Sequence, residues 1–385
     1  MYSVQNYFDR GTTFLKNNLF PTKKKLATLM LYGTDLCDSA CKHCLIWTKR
    51  PVNYLPFEKM KEIMNSRCVT KRTTVGLEGG EFLLHPDAME ILKWFNRHHP
   101  NFDLLTNGLK PELVTEAVSK HPPKRLFISL DGPQDTYHQM RGKDGYEGIV
   151  HLFESLHTKI PISAMFTLSP YNDFDDLEHV ATICKRFNID LRIGVYNNIS
   201  FFDTIDKAHF NEIGSLKHTD PLSFKTAKQK VNGADTMIAE KKDVLLNIKE
   251  KLPAIIKEFP ENYDFLILYD EWRRGNVKLN CYSILDSLVV LPNGDVPICQ
   301  HLDVMLGNVF TNSLDEIFNA PQAAEKQKHY VKNCNACWIN FHRKYDVILY
   351  RNFEKFFGPY VTNKLLGYYW WEKEKKKTYK DLVQP

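Results

Sequence analysis

The strongest constraint on the fold is a rhythm. Six short apolar runs, Ala27–Gly33, Thr73–Leu77, Phe102–Leu105, Arg125–Leu130, Ile162–Leu168 and Ile189–Val195, alternate with amphipathic stretches. Stretches near Phe57–Asn65, Pro86–Arg97, Glu112–Lys120, Tyr146–His157 and Asp175–Phe187 read as helices. Strands alternating with helices at this spacing imply parallel strands joined by right-handed crossovers. A closed barrel of this kind needs eight such units. Six are present, so the expected fold class is α/β, an open or partial (β/α)6 barrel over residues 27–200. A polar lead-in, 1–26, precedes it and carries one helix, Val4–Asn17.

In such folds function sits at the carboxyl ends of the strands. The distinctive residues fall there. CDSACKHC follows the first run, EGGE (Glu78–Glu81) the second, TNG (Thr106–Gly108) the third and SLDGP (Ser129–Pro133) the fourth. Any one of these reads as ordinary turn chemistry. Four in register after four consecutive strands read as a site. Cys37, Cys41 and Cys44 are packed within eight residues. Three thiolates can hold three irons of a four-iron cube and leave the fourth iron open to a substrate or cofactor. The alternative is a zinc knuckle or unrelated thiols. Zinc motifs bring cysteines in CxxC pairs with the other ligands not far downstream, and no second pair follows for hundreds of residues.

The 385 residues suit a large domain with a smaller one. With 43% hydrophobic and 25% charged residues, the composition is that of a soluble globular protein. A net charge of +5 is too mild to argue for nucleic acid. No apolar run reaches the roughly 18 residues of a membrane span, and the first residues lack a signal pattern, so a cytoplasmic location is expected. The nine cysteines then read as metal or redox chemistry rather than a disulfide framework. Cys68 and Cys184 stand alone near helical segments and read as buried structural thiols. Lys23, Lys24 and Lys25, ahead of the first run, are expected in water.

Residues 201–280 break the rhythm and read as a linker or insert. Within them Asp235–Phe259 is an amphipathic helix and Asn262–Trp272 an aromatic stretch expected to pack on the barrel. From Cys281 the texture changes again. Ser287–Leu291 and Val296–Cys299 flank PNGD (Pro292–Asp295), an Asn-Gly hairpin signal. Ser313 is an expected helix N-cap with Glu316 three residues on. CNAC (Cys334–Cys337) follows. A small domain over 281–345, a β-hairpin plus helices, and a helical tail over 346–385 are expected. Its thiols Cys281, Cys299, Cys334 and Cys337 can ligate one four-iron cluster, or one zinc ion.

CDSACKHC matches the CxxxCxxC of the radical S-adenosylmethionine (SAM) superfamily, which the chain resembles. EGGE is similar to the family's GGE motif, with Phe82 where a proline is usual. ISLDGPQDTYHQMRGKDG resembles its fourth-strand motif, with HQMRG one residue shorter than HxxxRG. The resemblance covers about residues 27–200 and implies a partial (β/α)6 TIM-like barrel. It implies that the open iron chelates the amino and carboxylate groups of SAM. Glu81 would pair with the ammonium, and Gly79 and Gly80 would let the backbone come close. Asn107 and Ser129 would hydrogen-bond ribose or carboxylate, and Arg141 would hold a carboxylate. The spacing from Cys281 through Gly294 to Cys299 resembles the opening of the SPASM and twitch auxiliary-cluster domains.

The resemblance thus implies two 4Fe–4S clusters. The first, with an open iron, would start a radical by reductive cleavage of SAM. The second, with four cysteines, would take up an electron. The implied partners are a peptide or small-molecule substrate and a flavodoxin- or ferredoxin-type reductant. Asp303 and His301, close to a cluster ligand, are the candidate catalytic bases. No separate peptide-recognition segment is read at the N-terminus, which weighs against a peptide. The terminal VQP weighs against a molybdopterin-type role. The alternative function is a metal-stabilised RNA-binding or electron-transfer protein, with zinc or iron–sulfur at the C-terminal cysteines.

Overall fold

A computed structural model describes residues 4–44, 46–169, 171–195, 248–273, 277–302, 304–334, 337–367 and 383. Helix α1 (Val4–Leu19) leads into β1 (Thr28–Tyr32). The rhythm continues through α2 (Phe57–Met64), β2 (Thr74–Glu78), α3 (Ala88–His98), β3 (Phe102–Thr106), α4 (Pro111–Lys120) and β4 (Arg125–Ser129). Two helices, α5 (Gln134–Arg141) and α6 (Tyr146–Leu156), precede β5 (Ile162–Leu168), α7 (Phe174–Phe187) and β6 (Asp190–Val195). Each apolar run of the sequence is a strand.

The sheet has seven parallel strands in the order β6-β5-β4-β3-β2-β1-β7 and curls into a half-barrel. The seventh, β7 (Ser287–Val290), pairs with β1. The sequence places this run in a hairpin across PNGD. The turn forms, with Leu291 N donating to Asp295 O at 2.9 Å. Its strands, however, take other partners. Here β8 (Asp295–Pro297) pairs antiparallel with β9 (Met305–Asn308), and β7 closes the open edge of β1. All four residues of β7 are buried, as a strand covered on both faces requires. An unpaired β1 edge would leave a row of peptide groups without partners.

The two faces of the strands differ. Leu29, Leu31, Val75, Leu77, Phe102 and Leu104 point outward into the core under the helices, all fully buried. The alternate residues point inward and line a cavity. At the other edge, Asn262 guards β6. Its Oδ1 accepts from Ile193 N at 3.2 Å and its Nδ2 donates to Leu191 O at 2.7 Å. That asparagine lies on the helix Pro260–Arg273, so the aromatic stretch does pack on the barrel. Trp338 is fully buried between Phe265 and Trp272, joining this helix to the C-terminal cysteines. The expected helix over 235–259 lies mostly outside the described residues. Ser313 and Glu316 form the anticipated capping box, and Cys68 and Cys184 are buried free thiols.

One lysine departs from expectation. Lys24 is 1% exposed, its Nζ held by Gln327 Oε1 and over the ring of Phe318. Burial lowers its pKa to about 8. A charged side chain buries when a hydrogen bond and an aromatic face replace its water, and both partners lie some 300 residues along the chain.

Candidate functional site

The loop carrying Cys37, Cys41 and Cys44 leaves β1 and is clamped from two sides. On one side it meets the end of α5. A helix C-terminus leaves carbonyls without partners. Here Met140 O accepts from Lys42 N at 2.9 Å and Arg141 O from Ala40 N at 3.0 Å. Gly142 ends the helix in the left-handed conformation (φ 67°), and a Cβ there would lie 2.9 Å from Ala40 O. On the other side the loop meets the segment after β2. Gly80 N donates to Thr34 O and Glu81 N to Leu36 O, each at 2.7 Å. A Cβ on Gly80 would come within 2.2 Å of Leu36 O. The glycines of EGGE thus let two backbones touch.

Glu81 lies at the junction, 3% exposed. Its Oε2 accepts from Asn107 N at 2.7 Å and its Oε1 from Leu83 N at 3.2 Å. Burial raises its pKa from 4.5 to about 7, although both hydrogen bonds pull it down. A folded-state pKa above the unfolded one contributes stability present below about 4.5 and lost as pH rises through about 7. Glu81→Gln is therefore expected to flatten the fall in Tm of the metal-free protein between about pH 5 and pH 8. An unchanged slope in a thermal melt series would remove the burial argument.

Asn107 also reaches the cysteine loop. Its Nδ2 donates to Asp38 Oδ1 at 2.8 Å and lies 3.9 Å from Cys37 Sγ. Cys41 is held by Ser39 Oγ at 3.0 Å and Arg141 Nη1 at 3.6 Å. Burial raises the thiols of Cys37 and Cys44 to about 12. Ligation by a metal would displace the protons that burial holds on Cys37 and Cys44.

Arg141 is committed to a protein carboxylate. Its Nε and Nη2 both meet Asp131 Oδ2 at 2.5 Å, and Asp131 Oδ1 accepts from Thr167 N at 2.7 Å. Asp131, within SLDGP, was not singled out from sequence. Its signal is present, an acid beside Gly132 in an otherwise apolar strand end. Ser129 lies at the end of β4 facing the same space. Cys37, Cys41, Cys44, Gly79, Gly80, Asn107, Ser129 and Arg141 line one cavity of about 340 Å³, and Glu81 lies buried behind its wall, next to Gly80 and bonded to Asn107 N. Residues from separate strand ends thus converge, and the thiols, buried acid and polar groups fit a three-thiolate cluster with a zwitterionic cofactor.

Cys281, Cys299, Cys334 and Cys337 line a second, small cavity with His301, His342 and Arg343. Arg343 is fully buried. Its Nε donates to Cys337 O at 3.1 Å and its Nη1 to Leu279 O at 2.6 Å. A buried guanidinium among four thiols compensates the negative charge that thiolate ligation would create. His342 shares a hydrogen bond with Ser283 Oγ at 3.1 Å, and burial lowers its pKa to about 3, which favours the neutral imidazole. His301 lines this second cavity and is not among the residues lining the first. Asp303 lies outside the described residues.

The two cavities share a wall. Gln300, next to Cys299, lines the first and donates from Nε2 to Tyr32 OH at 2.6 Å. Ile339, Asn340 and Phe341, just after Cys337, line it as well.

Residues 31–183 match the radical SAM superfamily and residues 281–338 match the SPASM iron–sulfur cluster-binding domain. The chain belongs to the radical SAM superfamily and carries a SPASM domain. It is 29% identical over 168 residues to mycofactocin maturase MftC of Mycolicibacterium smegmatis, 42% of each chain. It is 23% identical over 346 residues to the antilisterial bacteriocin subtilosin biosynthesis protein AlbA of Bacillus subtilis, 81% of this chain and 68% of that one. The crystal structure of Streptococcus suis SuiB bound to S-adenosylmethionine has the same fold, with TM-score 0.54 at 15% identity, covering 88% of this chain and 78% of that chain. The match to the MftC relatives spans about two-fifths of their length. No helix among the described residues is long and apolar enough to cross a membrane.

Proposed function

We propose that the chain is a radical SAM enzyme that modifies a peptide, with one cluster at each cavity. The observation that carries this reading is the shared wall. Cys299 and Cys337 belong to the second cavity, while Gln300 and Ile339 belong to the first. When bound, an open four-iron cluster and SAM supply a hydrogen-abstracting 5′-deoxyadenosyl radical, and a fully ligated second cluster supplies a one-electron sink. Cys37, Cys41 and Cys44 would hold the first, and Cys281, Cys299, Cys334 and Cys337 the second. Glu81 would accept hydrogen bonds from the ammonium of SAM, which would favour its ionised form against burial. Asn107 and Ser129 would orient the cofactor. Arg141 would act on Cys41 through its hydrogen bond and on the loop through its backbone, its guanidinium being held by Asp131. His301 remains a proton acceptor for the second cavity. The names of MftC, a maturase, and AlbA, a bacteriocin biosynthesis protein, support a peptide substrate.

Anaerobic reconstitution tests the reading. About eight irons per chain and 5′-deoxyadenosine formation under reduction are expected. Cys334→Ala should lower iron to about four and stop peptide modification while SAM cleavage continues uncoupled. Undiminished peptide product in Cys334→Ala would remove the electron-sink role. Zinc in place of iron in the wild-type second site would remove that cluster.

A further inference from the structure

The first cavity extends inward past the cysteine loop, along the inner face of the half-barrel. Two carboxyl groups on neighbouring strands stand there. Asp103 on β3 is 7% exposed and lines the cavity, and its Oδ1 is buried without a hydrogen-bond partner. In register it faces Gly76 of β2. Glu78, two residues further along β2, folds back over that glycine, since a Cβ on Gly76 would lie 3.1 Å from Glu78 Oε1. The two acids therefore approach each other over a gap with no side chain in it. Burial disfavours charge on both. Burial, then the Asp103 charge, raises Glu78 to about 7, and burial raises Asp103 to about 6.

The cations near Asp103 are engaged elsewhere. Lys124 Nζ donates to Asn101 Oδ1 at 2.6 Å, and Arg125 Nη1 to Ser163 Oγ at 2.9 Å. Arg192 lies 4.0 Å from Asp190 and over the ring of Phe127. These charges pull Asp103 down but leave its Oδ1 without a donor. Met30, Leu105, Phe127 and Met165 give the cavity an apolar stretch beside the acids, and Arg192, Thr74 and Thr167 line it as well.

We infer that Asp103 and Glu78 recognise a primary ammonium group on the substrate, carried on an aliphatic stem such as a lysine side chain. A compact ammonium with three donors would supply the donor that Asp103 Oδ1 lacks and a positive charge beside Glu78, whose side chain is partnered by the neutral Tyr32 hydroxyl. A four-carbon stem would lie along the apolar wall, as such stems do on apolar protein surface. Asp103 lies two residues, roughly 6.6 Å, inward of the strand end where EGGE begins. A side chain anchored there would hold its residue near the strand ends, beside the SAM groups. The inference takes its context from the radical SAM reading of the same cavity and adds the chemical class of the substrate residue.

The test uses reconstituted holoenzyme with SAM and two probe peptides, acetyl-Ala-Gly-Lys-Gly-Ala-amide and its counterpart with norleucine for lysine. Isothermal titration should find the lysine peptide bound about tenfold more tightly. Asp103→Asn, which keeps the side-chain shape, and Glu78→Gln should each bring the two peptides within about twofold. Equal affinities in the wild type, or a preference undiminished in both variants, would overturn the inference. So would a loss of SAM affinity in Asp103→Asn with the lysine preference intact, since the acids would then serve SAM. 5′-Deoxyadenosine in the same samples reports separately on the enzyme. Lysine preference without SAM cleavage keeps this site and removes the radical SAM reading. SAM cleavage without the preference removes this site alone.

Discussion

Cys41→Ala should abolish 5′-deoxyadenosine formation from SAM, by about a thousandfold or more, equivalent to about 4 kcal/mol of barrier. The substitution removes one of the three sulfurs proposed to hold a cluster with one open iron. Cys41 is the most enclosed of the three, 6% exposed, and its sulfur meets both Ser39 and Arg141. The bonds that hold the loop are made by backbone atoms of Ala40 and Lys42 and survive the change. The fold should therefore persist, and circular dichroism with a thermal melt would check it. Anaerobic iron and sulfide counts should fall to about four per chain, the second site being untouched. SAM cleavage intact in this variant would sink the assignment of the loop as a cluster site. Cleavage lost with iron still near eight would move the defect from cluster binding to electron transfer.

The second large effect is expected at Gly80, which touches no cofactor in the proposed scheme. An added Cβ would lie 2.2 Å from Leu36 O, 2.6 Å from Leu36 C and 2.8 Å from Asp35 O. All three are backbone atoms, so no rotamer change relieves the clash. The cysteine loop and the segment after β2 must separate, with loss of the bonds from Gly80 N and Glu81 N. Gly80→Ala should cost about 3 kcal/mol or more of stability. It should also prevent iron loading of the first site. Gly148→Ala is the matched control. A Cβ there meets Pro111 Cγ at 3.4 Å, an ordinary contact, and the residue lies within α6. It should be neutral or stabilising by up to about 1 kcal/mol. Denaturant titration of both variants decides the matter. Equal stabilities would mean that the close approach of the two backbones is not needed.

The contrast between these variants bears on what the motifs do. Sequence reading assigns Gly79 and Gly80 to the approach of a cofactor and Arg141 to the cofactor's carboxylate. In the structure Gly80 makes room for the cysteine loop, and Arg141 is paired with Asp131 while its own carbonyl holds the loop. Each motif therefore has a structural task in the free protein. HQMRG closes one side of the loop and EGGE the other. Loss of SAM cleavage after mutating either motif would not by itself distinguish lost contact with SAM from a displaced loop. Iron content separates the two.

The strands, their parallel order, the cysteine loop and the gathering of strand-end motifs were all legible in the chain. Period-two and helical patterns are local properties, and the rule that parallel strands present their carboxyl ends on one face converts them into a site. The partner of Ser287–Val290 was not legible. A buried apolar run carries no mark of which neighbour it joins, and the vacant edge of β1 lies more than 250 residues away. Lys24 was misplaced for a related reason. Three consecutive lysines read as solvated until Gln327 and Phe318 arrive from the far end of the chain to receive the middle one. Asp103 had a local signal, a lone acid within an apolar run, but no local partner. Its neighbour Glu78 belongs to another strand, and only pairing in register brings the two together over Gly76.

The residue types and spacings determined by themselves that three thiols would sit at the end of a first strand, and that four more would follow far downstream. Only the tertiary structure decided that the two sets share a wall through Gln300 and Ile339, and that two acids face inward beneath them. The physical reason is range. Propensity, periodicity and ligand spacing act within a few residues, whereas sheet register, helix-end contacts and the burial that shifts proton affinities depend on segments the chain brings together only on folding.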